Sequence, residues 1–237
     1  MQEIPASPKS FHYRPGHARG EDTARRMLDA AIEVFADEGY EGASTRMLAE
    51  RGDVNLPAIQ YYFGSKEGLY RAAIRHIAEL VESRMAVHAD QAMAALARDD
   101  APSDEALVAL FLDMLDGFVD LVTCHDAPPS AGLMIARAEF ENAEALEVLQ
   151  QAVERLVFRP GIALLARLLG RPEDDEEIRI RCFAIFGQAI PFKNRGPRMG
   201  ACPILGWLEL DERRVGAIRS ILREQTAAML RVAKAGK

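Results

Sequence analysis

"GYEGASTRMLAERGDVNLPAIQYYFGSKEGLY", Gly39 to Tyr70, is the stretch whose reading decides the fold. Its breakers and caps fall at close intervals. Gly39 ends a preceding helix, as a glycine does where the chain must turn left-handed. Ser44 is an N-cap residue, because its hydroxyl can accept an orphan backbone N–H, and it opens a short helix through Met47, Leu48 and Ala49 to Arg51. Gly52-Asp53 makes a tight turn, and aspartate is among the few residues that tolerate a left-handed backbone. Asn55 caps a third helix of about two turns ending near Tyr62, with Pro57 in the first turn, where a missing N–H costs little. Gly64 breaks that helix. Ser65 caps a fourth, with Glu67 placed well for the helix dipole.

Upstream, Met27, Leu28, Ala31, Ile32 and Phe35 recur at helical spacing, with Glu33, Asp37 and Glu38 off that face. Three short helices and then a long one, with a tight turn between the second and third, is a helix-turn-helix arrangement. It sets the third helix to lie in a DNA major groove while the second crosses the backbone. Leu48, Ala49, Val54, Ile59 and Phe63 are the inward positions. Thr45, Arg46, Asn55, Gln60, Tyr61 and Lys66 are outward donors suited to phosphates or base edges, and Leu56 and Ala58 suit thymine methyls. Ser44, Pro57 and Tyr62 complete the candidate DNA-facing set, with the hydroxyls of Tyr61 and Tyr62 both expected near phosphate. Phe63 and Tyr70 are expected to face inward.

The bulk numbers permit this reading without demanding it. A chain of 237 residues with 49% hydrophobic and 27% charged residues is ordinary for a folded, water-soluble protein. A net charge of −7 is not that of a protein basic overall, but residues 9–19 hold Lys9, Arg14, Arg19, His12 and His17 without an acid. No apolar run reaches a membrane span and no export signal opens the chain, so a cytoplasmic protein without membrane contact is expected. Cys124, Cys182 and Cys202 are too few and too scattered for a disulfide framework or a zinc site. Paired carboxylates, a nucleophile–histidine set, a phosphate-cradling loop and metal spacing are all missing, so neither an enzyme nor a cofactor is expected.

Beyond Tyr70 the chain reads as helix almost throughout, giving an all-α expectation: a flexible basic arm over 1–20, a helix-turn-helix domain over 21–70, and a helical bundle for ligand binding and dimerisation over 71–237. Residues 194–208 form the longest break. Ile178, Cys182, Ile185, Phe186, Ala189 and Ile190 on one helix, and Val215, Ile218, Leu222, Met229 and Val232 on the last, make two apolar stripes expected to meet a second copy. Phe111, Met114, Phe118, Met134, Phe140 and Phe186 are core by default, yet the same residue types would line a ligand cavity, with Arg137 a polar anchor for it. His88 and His125 read as surface residues.

The segment Gly39 to Tyr70 resembles the DNA-binding signature of the TetR family of bacterial transcriptional regulators. Ala49, Val54, Phe63, Ser65-Lys66-Glu67 and Leu69 fall at the family's spacing. "VNLPAIQYYFGSKEGLY" is most similar to a CerR/CecR-like subgroup, whose C-terminal domain the segment from about Ala131 to Leu230 also resembles. The resemblance implies a homodimer that binds a palindromic operator in double-stranded DNA and releases it when a small effector enters the C-terminal domain. It also implies departures. Gln60 stands where the family usually has tyrosine, and Asp53 stands where it has the turn glycine. An interaction protein that uses DNA as a platform for a protein partner is the alternative.

Overall fold

The computed structural model describes residues 18–123, 128, 130–193, 202–207 and 209–235, and among them every regular element is helical. The basic arm lies outside these residues except at its end, where helix α1 (Ala18–Gly42) begins before position 21. His125 and most of the 194–208 break also lie outside them.

The short helices follow from their caps. The Met47 amide donates to Ser44 Oγ at 3.2 Å and opens α2 (Thr45–Arg51). The Ala58 amide donates to Asn55 Oδ1 at 3.1 Å and opens α3 (Leu56–Phe63), with Pro57 in its first turn. The Gly68 amide donates to Ser65 Oγ at 2.9 Å and opens α4 (Lys66–Leu96). Between α2 and α3, Asp53 takes φ 50°, the one left-handed non-glycine among the described residues, as the turn required. Gly64 ends α3 at φ 74°, a conformation that strains any side chain-bearing residue.

Helix α4 has 31 residues, so at 1.5 Å each it extends about 46 Å. Leu69, Tyr70, Ala73, Ile74, Ile77, Ala78, Val81, Met85, Ala89 and Ala92 are buried along it at helical spacing, and so it runs through both halves of one continuous core. Its first turns pack on α1. Further along it meets α5 (Asp104–Thr123), α7 (Glu147–Val153) and α8 (Arg159–Leu169). Helix α6 (Ala131–Glu141) packs across α1.

The helical stretch from Ala143 to Leu169 is divided. A 3-10 turn (Ala143–Leu146) leads into α7, and a π-helical turn (Glu154–Phe158) joins α7 to α8. Pro160 supplies the reason: it has no N–H for the ladder and its ring collides with the carbonyl four residues back, so the chain widens by one residue just before it. The Arg159 amide accordingly donates to Glu154 O, five residues back.

The acidic run before α9 (Glu176–Gly187) has a local purpose: the Ile178 amide donates to Asp175 Oδ1 at 3.2 Å, and Glu176 and Glu177 lie in the first turn. Asp211 opens α10 (Glu212–Ala235), accepting from the Arg214 amide at 2.7 Å. Helix α10 lies along α5, joined by Arg219 to Asp120, by Arg223 to Asp113 and Asp116, and by Lys234 to Asp104. No described helix is long and apolar enough to cross a membrane.

Candidate nucleic-acid interface

The helix-turn-helix presents a polar, solvent-facing surface on a small buried base. Leu48, Ala49 and Ile59 are 2%, 4% and 3% exposed, while Val54 and Phe63 are half-buried and pack on the same core. Thr45, Arg46, Asn55, Leu56, Pro57 and Gln60 are exposed, as expected, and Tyr61 is 78% exposed. These residues lie at the α2–α3 turn and along α3, where Pro57 has no N–H and the Ala58 amide is capped by Asn55, so the donors left to this surface come mainly from side chains. That face can donate to phosphate and to base edges. Helix α3 carries no charged residue, and of the two exposed cations on α2, Arg46 is turned along its own helix to Glu50 at 2.8 Å and Arg51 reaches Glu33 of α1 at 2.5 Å.

Several candidate residues sit differently from expectation. Lys66 does not point outward. Its ammonium donates to the carbonyls of Tyr40 at 2.8 Å and Ala43 at 2.9 Å and lies 4.5 Å over the Tyr40 ring. Two carbonyls left bare at the α1–α2 corner are a stronger attraction at that distance than solvent, so this cation is a structural tie. Ser44 and Asn55 have their side-chain oxygens engaged as caps, which leaves the Ser44 hydroxyl proton and the Asn55 amide nitrogen as donors for DNA. Ala58 is half-buried. Tyr62 is half-buried too, packed against the core with its hydroxyl turned toward Gly20 of α1, while its neighbour Tyr61 stands edge-on at 5.0 Å. Adjacent helix positions diverge by about 100°, which separates the two tyrosines. Tyr70 is buried between Phe35 and Tyr40, at 4.8 and 5.0 Å, and burial raises both its phenol and that of Tyr40 above the ordinary tyrosine value.

The seven candidate ligand-lining residues do not converge. Phe111, Phe118 and Phe186 form one buried cluster, with Phe186 centred 5.6 Å from Phe111 and 5.2 Å from Phe118, and Met114 is buried on the same helix as two of them. Met134 is buried on α6. Arg137 instead reaches α1, donating to the carbonyl of Asp37 at 3.0 Å. Phe140 is 92% exposed and lines nothing. His88, read as a surface residue, is turned inward: a Cβ on Gly117 would stand 2.5 Å from its ring, and its Nδ1 is buried without a partner. The signal for this was Gly117, set among the buried residues of α5. Cys182 is a buried thiol, pushed up to about 12 by burial, and therefore inert as a nucleophile.

The apolar stripes are divided: most of their residues are buried, while Ile190, Met229 and Val232 stay in solvent. Ile178, Cys182, Ile185, Phe186 and Ala189 are buried within this chain, as are Ile218 and Leu222. The faces left in solvent carry Ile180 (61%) and Phe183 (68%) on α9, Ile190 just beyond it, and Ile221, Met229 and Val232 on α10. Open grooves of about 770 Å³ and 870 Å³ flank α9, the first lined by Phe158, Ile180 and Phe183 together with Arg159, Asp174 and Arg179, the second by Met229 and Val232 together with Arg171, Glu177 and Arg181. Helix α9 is apolar on most of its circumference, so its sequence does not say which side the bundle covers.

An exposed, capped helix-turn-helix whose third helix leads straight into a long helix of an all-α body defines a DNA-binding transcriptional regulator. The model for bacterial regulatory proteins of the tetR family matches residues 27–73, and the model for the C-terminal domain of the HTH-type transcriptional dual regulator CecR matches residues 107–232. The chain belongs to the TetR family, with a C-terminal domain of the CecR type. It is 28% identical to the dual regulator CecR of Shigella flexneri over 84% of this chain and 87% of that one. It is 33% identical to the transcriptional repressor NicS of Pseudomonas putida over 41% of this chain and 42% of that protein. It is 40% identical to the transcriptional activator FasR of Mycolicibacterium smegmatis over 29% of this chain and 32% of that protein. A TetR-like regulator from Rhodococcus sp. RHA1 shares the fold at a TM-score of 0.59 and 20% identity, over 94% of this chain and 100% of that one.

Proposed function

We propose that this regulator is a homodimeric, effector-responsive repressor that binds a palindromic operator. The observation that carries the reading is the solvent face of α3. Leu56, Gln60 and Tyr61 are exposed together, on a unit continuous with α4 and therefore with the body of the molecule. Gln60 is the base reader, suited to adenine N6 and N7, and Thr45, Arg46, Asn55 and Tyr61 are phosphate contacts. Two-fold symmetry in the protein calls for two-fold symmetry in its site. Occupancy of a promoter by such a dimer suffices to block transcription, and the proteins similar to this chain include ones named repressor, activator and dual regulator.

The second copy docks on the exposed faces of α9 and α10. An unpartnered apolar surface of this kind, with grooves on either side of a helix, fits two helices from each subunit in a four-helix seam. The effector enters near the Phe111, Met114, Phe118 and Phe186 cluster, where Gly117 and Gly161 bring α5 and α8 close to neighbouring side chains. It lowers operator affinity by favouring a body conformation that misplaces the two α3 helices, which takes a few kcal/mol of differential affinity.

Selection of bound duplexes from random DNA, followed by a gel shift at rising salt, tests the reading. An inverted-repeat sequence is expected, with log affinity falling by about 0.9 per neutralised phosphate against log salt, and a shallow total slope because α3 carries no charge. Binding that is independent of sequence would sink it.

A further inference from the structure

The corner between α1 and α2 is grasped through its main chain by charged side chains from the body. Gly39 departs from helical geometry at φ 74°, ψ 174°, which breaks the helical ladder there. Helix α6 takes up the groups on either side of the break. Arg137 Nη2 donates to the Asp37 carbonyl at 3.0 Å, and the Tyr40 amide donates to Glu141 Oε2 at 2.8 Å. Arg137 and Glu141 are one turn apart on the same face of α6, 3.9 Å from each other, and their side chains are 38% and 35% exposed. The glycine is what lets them close on the corner: a Cβ at Gly39 would stand 2.7 Å from Glu141 Oε1 and 3.0 Å from Arg137 Nη1. From the other side Lys66 holds the Tyr40 and Ala43 carbonyls.

A single connecting helix fixes where a reading head sits but leaves it free to twist and bend about that helix. Helix α4 is one attachment, and α6 supplies a second at a different point of the head. The bonds run to backbone atoms, so they hold the corner's orientation whatever side chains it carries, and each has one ionised partner, which strengthens it.

We propose that Arg137 and Glu141 are positioning residues for DNA binding: they lock the helix-turn-helix to the body and so set the half-site spacing that the dimer accepts. The proposal rests on the reading of the chain as a dimeric DNA binder. Neither residue touches DNA. Each acts through the pose of α3, and the sequence distance of about a hundred positions between α6 and its targets hides the link.

The test uses the full chain, the half-site selected by the wild type from random duplex DNA, and inverted pairs of that half-site with spacers changed by single base pairs. Thermal melts confirm folding, and Glu141→Gln, which keeps an acceptor oxygen, backs up Glu141→Ala and Arg137→Ala. The alanine variants are expected to lose roughly tenfold in affinity at the wild type's best spacing. They are expected to keep lone half-site affinity and to discriminate less among spacers, with Glu141→Gln intermediate. In the absence of DNA, hydrogen exchange at the Tyr40 amide is expected to be faster in Glu141→Ala. Selected DNA with an unchanged spacer profile overturns this proposal alone. Failure of the wild type to select any duplex overturns the DNA-binding reading and this proposal with it.

Discussion

The α2–α3 head and the α9–α10 side both open their helices on local caps, Asp175 and Asp211 included, but they differ in what decides which face meets solvent. In the head, every helix start is satisfied by a residue immediately before it: Ser44, Asn55 and Ser65 accept amides three positions on. On the α9–α10 side the pairings reach across the chain, with Arg223 joined to Asp113, 110 positions away, and Arg219 to Asp120, 99 away. Local chemistry therefore decides which side of α3 faces solvent, whereas the packing of distant helices decides which side of α9 does. One region exposes polar groups that could read a polyanion. The other exposes large apolar groups, which water tolerates poorly over a contiguous patch.

The contrast breaks most violently at α9. Phe183→Glu combined with Ile180→Glu is expected to convert a dimer to a folded monomer in analytical ultracentrifugation. Affinity for a two-half-site duplex should then fall on the order of a hundredfold or more as the linked second contact is lost. Ile185→Glu, on the buried side of the same helix, should instead unfold the chain, since it places a charge in the core. A folded monomer from Ile185→Glu and an intact dimer from the double variant would reverse the assignment of faces.

Next in size is Lys66, which tests the head's own border between DNA contact and scaffold. Lys66→Met removes the donor for two carbonyls and is expected to cost about 2–3 kcal/mol in denaturant unfolding. Operator affinity of the folded fraction should change little. Full stability with lost affinity would return Lys66 to the DNA-facing set.

These two cases mark what was legible in the sequence. The all-α class, the helix-turn-helix, its caps, the left-handed Asp53 and the solvent side of Gln60 and Tyr61 could all be read, because each depends on residues within a few positions. Lys66 could not be placed, because the carbonyls that hold it belong to residues 23 and 26 positions earlier. Tyr62 was misjudged because its partner surface is the start of α1. Phe140 looked like core from its apolar segment, "LMIARAEF", yet α6 buries the side bearing Met134 and Ala138 and leaves Phe140 in water. Helix α9 offered two equally apolar faces, and only the bundle chooses between them.

A smaller effect sharpens the head's specificity. Gln60→Ala is expected to weaken the selected operator by roughly 1–3 kcal/mol and to relax one base position in a fresh selection. Tyr61→Phe, which removes a hydroxyl from an exposed residue, should weaken all sequences alike. Loss of affinity from Gln60→Ala that is uniform across sequences would move Gln60 among the phosphate contacts.

The smallest expected effect lies in the long-range ladder and is a matter of sign. Burial raises the Asp116 carboxyl above its ordinary value of 3.8, against the opposing pull of Arg223, and its Oδ1 is buried without a partner. The folded chain thus holds this proton to higher pH than the unfolded chain does. Between the unfolded and folded values the folded state binds more protons, so stability falls as pH rises through that window, and the full deduction is present above it. Asp116→Asn cannot ionise, and Arg223 keeps Asp113 as its carboxylate partner at 3.1 Å. The variant's stability relative to wild type should therefore climb as pH rises from 3.8 and then level off. Urea unfolding across that range reads the difference directly. A variant whose relative stability declines with rising pH would mean that the ionised Asp116 is held by Arg223 more strongly than burial opposes it, and that the ladder stabilises α10 through charge at this position too.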